Sequence, residues 1–428
     1  MRECVSIPSW SRRVSRCTSE RKVMNKMDCI NGEERSMEQT IVIVGAGQGG
    51  FQAATSLRQS GFTGHIILIG DEAVLPYQRP PLSKAYFKEG KKERLFFRSD
   101  DYFAKNRIEV KLGVSLLNID RDGKKVGLSS GEEIEYDHLI LALGARNRKP
   151  PVEGTDLDGV MELRSLADAD NMRIRARRCR HIVVIGGGFI GLEAASVFRA
   201  TGVDVTVLEA GSRLMERAVT PQVSDYFLQA HLQAGADIRL NTFASRIISD
   251  GRGKACAVAL STGEILPADA VLVATGVVPN AEVAAEAGLS VGNGILTNSM
   301  LQTSDEHISA IGDCACVPQN GTGPALRLES VQAAVDQAKC VAERLMGRQA
   351  PYRKIPWFWS DQGTHKLQIL GLSHGADRSE TEGSLASGKF VVRSYIGEAL
   401  ICVEAINSPA DFMKARREME QTITAPTA

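Results

Sequence analysis

The residues in this chain best suited to chemistry are two sets of glycines, each lying between an aliphatic strand and a helix and each followed by a carboxylate. In TIVIVGAGQGG, Gly45, Gly47 and Gly50 have the G-x-G-x-x-G spacing. The first glycine permits a tight turn, the second lets a pyrophosphate approach the backbone, and the third lets the helix pack closely on the strand. The helix follows at once, from Phe51 to Gln59, and its N-terminal amides face the phosphates. Ile41 to Val44 precedes the glycines as a buried strand, and a second strand, His65 to Ile69, leads to Asp71, an acid for the ribose. That order separates a dinucleotide site from an ordinary glycine turn.

The pattern then repeats. His181 to Ile185 is a second apolar strand, Gly186, Gly188 and Gly191 repeat the spacing, Leu192 to Ala200 is the helix, and Val203 to Leu208 ends at Glu209. Glu209 stands 18 positions beyond Gly191, close to the roughly 20 expected of an acid that binds a ribose 2′-hydroxyl. Each copy closes alike, with a β-meander and a buried strand ending in glycine, Leu139 to Gly144 and Val271 to Gly276. Two such copies predict two dinucleotide sites.

Other residues gather around these motifs. The loop Pro76-Tyr-Gln-Arg-Pro-Pro-Leu-Ser-Lys84 is rigid and leads to a short helix at Ser83, whose hydroxyl suits an N-cap. Lys84 is either solvated or placed to reach a cofactor ring. Asp313 closes a strand, as a turn aspartate or as a carboxylate beside the cofactor. Trp357 and Trp359, two apart on a strand, share one face. Cys314 and Cys316 form a C-x-C that reads as two small buried residues or as a redox pair.

The elements that must position these groups need a long chain, and 428 residues suffice for two or three domains. Lys+Arg and Asp+Glu are both 51, so no global field points to nucleic acid or to an anionic membrane. No apolar run reaches the roughly 18 residues of a membrane span, and none resembles the core of a signal peptide, so a cytoplasmic protein is expected. The nine cysteines are scattered, with neither a disulfide framework nor zinc spacing. Residues 1–36 have no hydrophobic period and are expected to be a disordered extension, with Met24, Met27 and Met37 as alternative starts. Pro150-Pro151 and Gly154 mark a linker. Glu329 to Leu345 has an apolar helical face, and residues 346–428 form a smaller α+β domain with three strand-like segments and a final helix from Pro409.

IVIVGAGQGG, RPPLSKAY, IVVIGGGFIGLEAA, VATGVVPN, SAIGDCA, LESVQAA and PWFWSDQG occur together in this order. From about residue 39 to about 417 the chain resembles the FAD-dependent ferredoxin reductases of bacterial oxygenase systems. The resemblance implies an α/β fold, with two Rossmann-like dinucleotide-binding domains arranged as in glutathione reductase and a C-terminal α+β interface domain. It places the FAD-binding domain at 37–151 and 276–345, the NAD-binding domain at 152–275 and the interface domain at 346–428.

The resemblance also implies roles. Gly45, Gly47 and Gly50 would hold the FAD pyrophosphate and Asp71 its adenosine ribose, with Arg79 nearby. Lys84 would lie beside the flavin ring, paired with Glu193. Asp313 would bind the ribityl chain, the helix N-terminus near Val331 would support the charge of a reduced flavin, and Trp359 would pack by the ring. Gly186, Gly188, Gly191 and Glu209 would bind NADH, with Arg213 the one nearby residue able to moderate a preference over NADPH. No metal site is implied.

The implied activity is transfer of electrons from NADH through FAD to a 2Fe–2S ferredoxin that feeds a monooxygenase or Rieske dioxygenase. Lys414, Arg416 and Arg417 on the final helix are either a docking patch for an acidic ferredoxin or a solvated face. Relatives usually continue past this helix, so a flavin lid built from that tail is not expected here. The rival readings are a reductase of another acceptor (rubredoxin, a disulfide or a peroxide) and a redox-regulated interaction protein similar to apoptosis-inducing factor. A disulfide reductase needs a cysteine facing the flavin, and none lies between Asp71 and Tyr102.

Overall fold

The structure is a computed structural model that describes residues 39–319, 324–348 and 350–424, the last three as backbone only. The extension expected over residues 1–36 lies outside them.

Aliphatic runs with almost no polar interruption form the centres of two parallel sheets, since strands covered on both faces need apolar side chains on both. The first sheet has the order Ile308–Ala310, His138–Leu141, Thr40–Val44, His65–Gly70, Ile108–Leu112, all parallel. The second runs Val160–Met161, Ala270–Val273, His181–Ile185, Asp204–Leu208, Asp237–Arg239, also all parallel. The two orders correspond strand for strand: each glycine strand is central, flanked by the strand that leads to the acid and by the strand that follows the meander. Both meanders are three-stranded and antiparallel, over residues 116–135 and 244–267. The glycine strands are buried throughout, with Val42, Ile43, Ile182, Val183 and Val184 all at 0 % exposure.

The second lobe is inserted into the first through a pair of short crossing strands. Ala145–Asn147 leaves the first sheet, Val277–Pro279 returns to it, and the two pair antiparallel. Asn280 fastens the crossing by donating from its amide nitrogen to Leu143 O at 2.9 Å. After the return, the helix Val331–Leu345 lies against the first glycine helix, Gln48–Gln59.

The C-terminal lobe departs from expectation in having five strands rather than three. Its antiparallel order is Trp357–Gln362, His365–Gly371, Ala399–Ile406, Lys389–Ile396, Arg378–Ser384. Arg378–Ser384 is exposed along its whole length and polar, which hides an edge strand from a reading based on hydrophobic alternation. One sheet face packs under the final helix, Pro409–Thr424, through Leu370, Val391, Val403, Ala405, Phe412 and Ala415. The other face, with Leu367, Ile369, Phe390 and Val392, joins the core of the second lobe around Phe198 and Phe227. Burial of each such phenylalanine contributes roughly 1.5–3 kcal/mol, so the two lobes are held together by core, not by rim.

Candidate functional site

Both glycine turns open onto one cleft of about 2190 Å³, several times the roughly 300–1,000 Å³ of a typical small-molecule pocket. Gly45 has φ +110°, and a Cβ there would lie 2.0 Å from Ala142 O; Gly186 has φ +115°, with a Cβ 2.3 Å from Ala274 O. A Cβ on Gly50 or Gly191 would strike the carbonyl of Gly45 or Gly186, at 1.8 and 2.1 Å. These four positions are glycine because the chain itself leaves no room. Gly47 and Gly188 differ: both have extended backbone, at φ −80° and −83°, and an added Cβ would meet nothing within 4 Å. Nothing in the polypeptide requires glycine there, so the space each leaves is space for a ligand at a helix N-terminus. The cradles therefore fit two dinucleotides.

At the acid of the first motif, Asp71 is exposed, and its neighbour Glu72 carries the local contacts. Glu72 accepts from Arg79 Nη2 and from the Tyr77 hydroxyl, both at 2.7 Å. Arg79 also donates to Arg164 O at 2.6 Å. At the acid of the second motif, the Glu209 carboxylate accepts from the amides of Gly187 and Gly211, each at 2.7 Å. Arg213 is turned away, donating to Val219 O and Glu216 O at 2.7 Å each.

Between the two cradles lies the ion pair Lys84–Glu193, at 2.6 Å. Pro80–Ser83 forms a single 3-10 turn that presents Lys84, and Glu193 projects from the second glycine helix, Phe189–Ala200. Ser83 does not cap a helix as its position suggests. Its hydroxyl donates to Glu193 Oε2 at 2.6 Å, because the buried carboxylate is the stronger acceptor. From the C-terminal lobe, the Ser360 hydroxyl donates to Glu193 Oε1 at 2.7 Å. Glu193, 2 % exposed and itself on the second lobe, is thereby satisfied by groups from the other two lobes.

Also lining the cleft, Asp313 Oδ2 pairs with Arg164 Nη2 at 2.9 Å. Val331 opens the long helix, with Ser330 as N-cap accepting from the Ala333 amide at 3.0 Å. Trp357 and Trp359 share a face as their spacing requires, with ring centroids 5.5 Å apart. Trp357 also packs on Phe412, and Arg416 lies 5.9 Å over its ring, whereas Trp359 is half-buried in the cleft wall. The alternate residues of that strand turn to the second lobe, where the Phe358 ring lies 4.6 Å from that of Phe189.

Cys314 and Cys316 are free thiols, donating to different carbonyls, Ile311 O and Asn293 O. Burial pushes the Cys314 thiol up to about 11. Both are buried, as the reading of two small core residues has it. Among the described residues, no cysteine lines the cleft and no cluster of metal ligands occurs.

The family model described as pyridine nucleotide-disulphide oxidoreductase matches residues 39–338. The chain belongs to that family. A second model, reductase C-terminal, matches residues 357–428, the lobe that carries the tryptophan strand. Rhodocoxin reductase of Rhodococcus erythropolis is 49% identical over 379 residues, 88% of each chain. Among solved structures, a ferredoxin reductase from Rhodopseudomonas palustris matches with a TM-score of 0.86 and 48% identity, covering 88% of this chain and 93% of that one. Putidaredoxin reductase in its covalent complex with putidaredoxin gives 0.86 and 39%, covering 90% and 93%. This reductase is accordingly an oxidoreductase that works with FAD and a nicotinamide dinucleotide.

The family resemblance anticipated Lys84 opposite Glu193, and the structure brings them together. Ser83, Glu72, Arg164, Ser360, Gly187 and Gly211 were missed. Ser360 was legible in principle, since a strand that turns Trp357 and Trp359 one way turns Phe358 and Ser360 the other. No local signal pointed to Arg164.

Proposed function

We propose that this reductase passes electrons from NADH through FAD to a 2Fe–2S ferredoxin, and through it to an oxygenase, in the cytoplasm. The observation that carries this reading is a single cleft joining two glycine cradles, with the Lys84–Glu193 pair between them and, among the described residues, no cysteine in its wall. A disulfide or peroxide reductase would need a sulfur there.

The FAD-binding domain would comprise 37–151 and 276–345, the NAD-binding domain 152–275 and the interface domain 346–428. Gly45, Gly47 and Gly50 would hold the FAD pyrophosphate, with Asp71 at the ribose and Arg79 locking the adjacent loop to Glu72. Asp313, oriented by Arg164, would meet the ribityl hydroxyls, and the helix beginning at Val331 would present its positive end to the ring. Trp359 would pack by the ring. Gly186, Gly188 and Gly191 would hold the NADH pyrophosphate, with Glu209 accepting from the ribose 2′-hydroxyl and repelling a 2′-phosphate.

When bound, FAD supplies the conversion of one two-electron delivery into two one-electron transfers. The chain's own contribution would be to hold both cofactors in one cleft, which would make the delivery effectively unimolecular, and to keep a cation at Lys84 anchored by Glu193. No separate acid–base triad is required.

The test is steady-state reduction of a 2Fe–2S ferredoxin by the FAD-loaded protein with NADH, beside an anaerobic dithionite titration. Ferredoxin reduction with two electrons taken up per FAD is expected. Four electrons per FAD, or turnover of a disulfide but not of ferredoxin, would reject the reading.

A further inference from the structure

The Lys84–Glu193 pair is not isolated. Its far side continues into a file of buried side chains that crosses the interface between the C-terminal and second lobes. Gln362 Nε2 lies 3.3 Å from Ser360 Oγ, and His231 Nε2 lies 2.8 Å from Gln362 Oε1. Exposure along the file is 2 % at Glu193, 0 % at Ser360, 1 % at Gln362 and 3 % at His231.

The direction of every bond follows from donor and acceptor inventory. Gln362 Oε1 only accepts, so His231 Nε2 carries the proton. Burial lowers the His231 pKa and favours the neutral ring, against the Gln362 bond, which raises it. Ser360 has one hydroxyl proton and spends it on Glu193 Oε1, so its oxygen accepts from Gln362 Nε2. The second N–H of Gln362 points to Met215 Sδ at 3.4 Å. All three bonds therefore point the same way, from His231 toward the Glu193 carboxylate, and bonds so aligned polarise and strengthen one another.

We propose that His231, Gln362 and Ser360 are positioning residues for electron delivery, acting through Glu193 to fix where the Lys84 ammonium stands at the flavin edge. The file spans an interface that the sequence does not announce: His231 lies on the helix Pro221–Gln233 of the second lobe, and Gln362 and Ser360 on the tryptophan strand of the third. It gives the C-terminal lobe a second task besides covering the cleft. Ser83 holds one carboxylate oxygen from the first lobe, at 2.6 Å, and the file holds the other. A carboxylate gripped at both oxygens keeps one rotamer, and Lys84 is anchored by a fixed point.

This inference rests on Lys84 lying beside the flavin, and the experiment separates the two claims. The midpoint potential of the FAD-loaded protein is measured for wild type and for Lys84→Met, Ser360→Ala, His231→Leu and His231→Gln. A cation at the flavin favours its reduced, more negative form. Lys84→Met should therefore lower the potential, and an unchanged value would overturn both claims. Ser360→Ala and His231→Leu should each lower it in the same sense, approaching a tenfold change in the redox equilibrium, or about 30 mV for two electrons. His231→Gln, which restores an N–H donor at the same reach, should recover the wild-type value. In a Lys84→Met background Ser360→Ala should add no further shift, because both changes act on one group. If Lys84→Met lowers the potential while Ser360→Ala and His231→Leu leave it unchanged, or if their shifts add to that of Lys84→Met, the file is merely structural and this inference falls while the placement of Lys84 stands.

Discussion

Thr220 gives both its backbone amide and its hydroxyl to the carboxylate of Glu404, a residue 184 positions later in another lobe. The amide bond is 2.9 Å, and Glu404 is 0 % exposed. Thr220 is the N-cap of the helix Pro221–Gln233, so an acid of the C-terminal lobe sits at the start of a second-lobe helix, where its charge meets the positive end of the dipole. Burial nevertheless dominates and raises the Glu404 carboxyl from 4.5 to about 7, against the two Thr220 bonds and Arg213, which lower it.

The sign of the consequence follows from proton binding. Between about pH 4.5 and 7 the folded chain holds a proton on Glu404 that the unfolded chain has released, so stability falls as pH rises through that window. The interval corresponds to about 3 kcal/mol. Glu404→Gln, which is neutral at every pH, is expected to lose less stability than wild type between pH 5 and 8. Urea denaturation at several pH values checks this, and parallel curves for the two proteins would contradict it.

The two kinds of glycine in the first cradle separate fold from binding. Gly45→Ala combines φ +110° with a 2.0 Å overlap on Ala142 O, and backbone strain alone should cost about 1–3 kcal/mol of stability. Gly47→Ala meets no protein atom, so the flavin-free chain should melt like wild type while FAD affinity falls at least tenfold, about 1.4 kcal/mol. Thermal melts of flavin-free protein and FAD fluorescence titration make the comparison.

Glu209→Ala is expected to narrow the preference for NADH over NADPH. It removes a charge-assisted contact worth about 1.5–3 kcal/mol, so kcat/KM for NADH should fall roughly 10- to 100-fold. NADPH loses a repulsion at the same time. Because Arg213 is committed to backbone carbonyls, it should not rescue 2′-phosphate binding, and the double variant Glu209→Ala with Arg213→Ala should keep the same NADPH value.

The final helix is less basic than its sequence suggests. Arg416 pairs with Glu420 at 2.9 Å and lies over Trp357, and Lys414 stands 4.0 Å from Glu418. If this face docks an acidic ferredoxin, Lys414 and the exposed Arg417 are the residues to reverse, leaving Arg416 to support Trp357. Lys414→Glu with Arg417→Glu should slow ferredoxin reduction and leave ferricyanide reduction unchanged. The wild-type ferredoxin rate should also fall with salt, as the Debye length shrinks from about 10 Å at 0.1 M to about 3 Å at 1 M. Equal loss in both assays would assign the helix to the flavin site instead.

The sequence by itself determined what depends on neighbours in the chain. Aliphatic strands, glycine turns and the acids after them are short-range patterns, because a parallel strand buried on both faces and a turn against a phosphate each impose residue types within a few positions. Repetition of the pattern made the two-cradle architecture legible, and the motifs RPPLSK and WFWSDQ carried the family. Lys84 opposite Glu193 came from that family and not from any period. Tertiary structure alone decided how the carboxylates are held. Ser83 and Ser360 reach Glu193 across 110 and 167 positions, Arg164 reaches Asp313 across 149, and Thr220 reaches Glu404 across 184. Serine, threonine and arginine at such sites look like caps or solvated surface, and only the packing of three lobes, which strips water from the acids, turns them into obligatory partners.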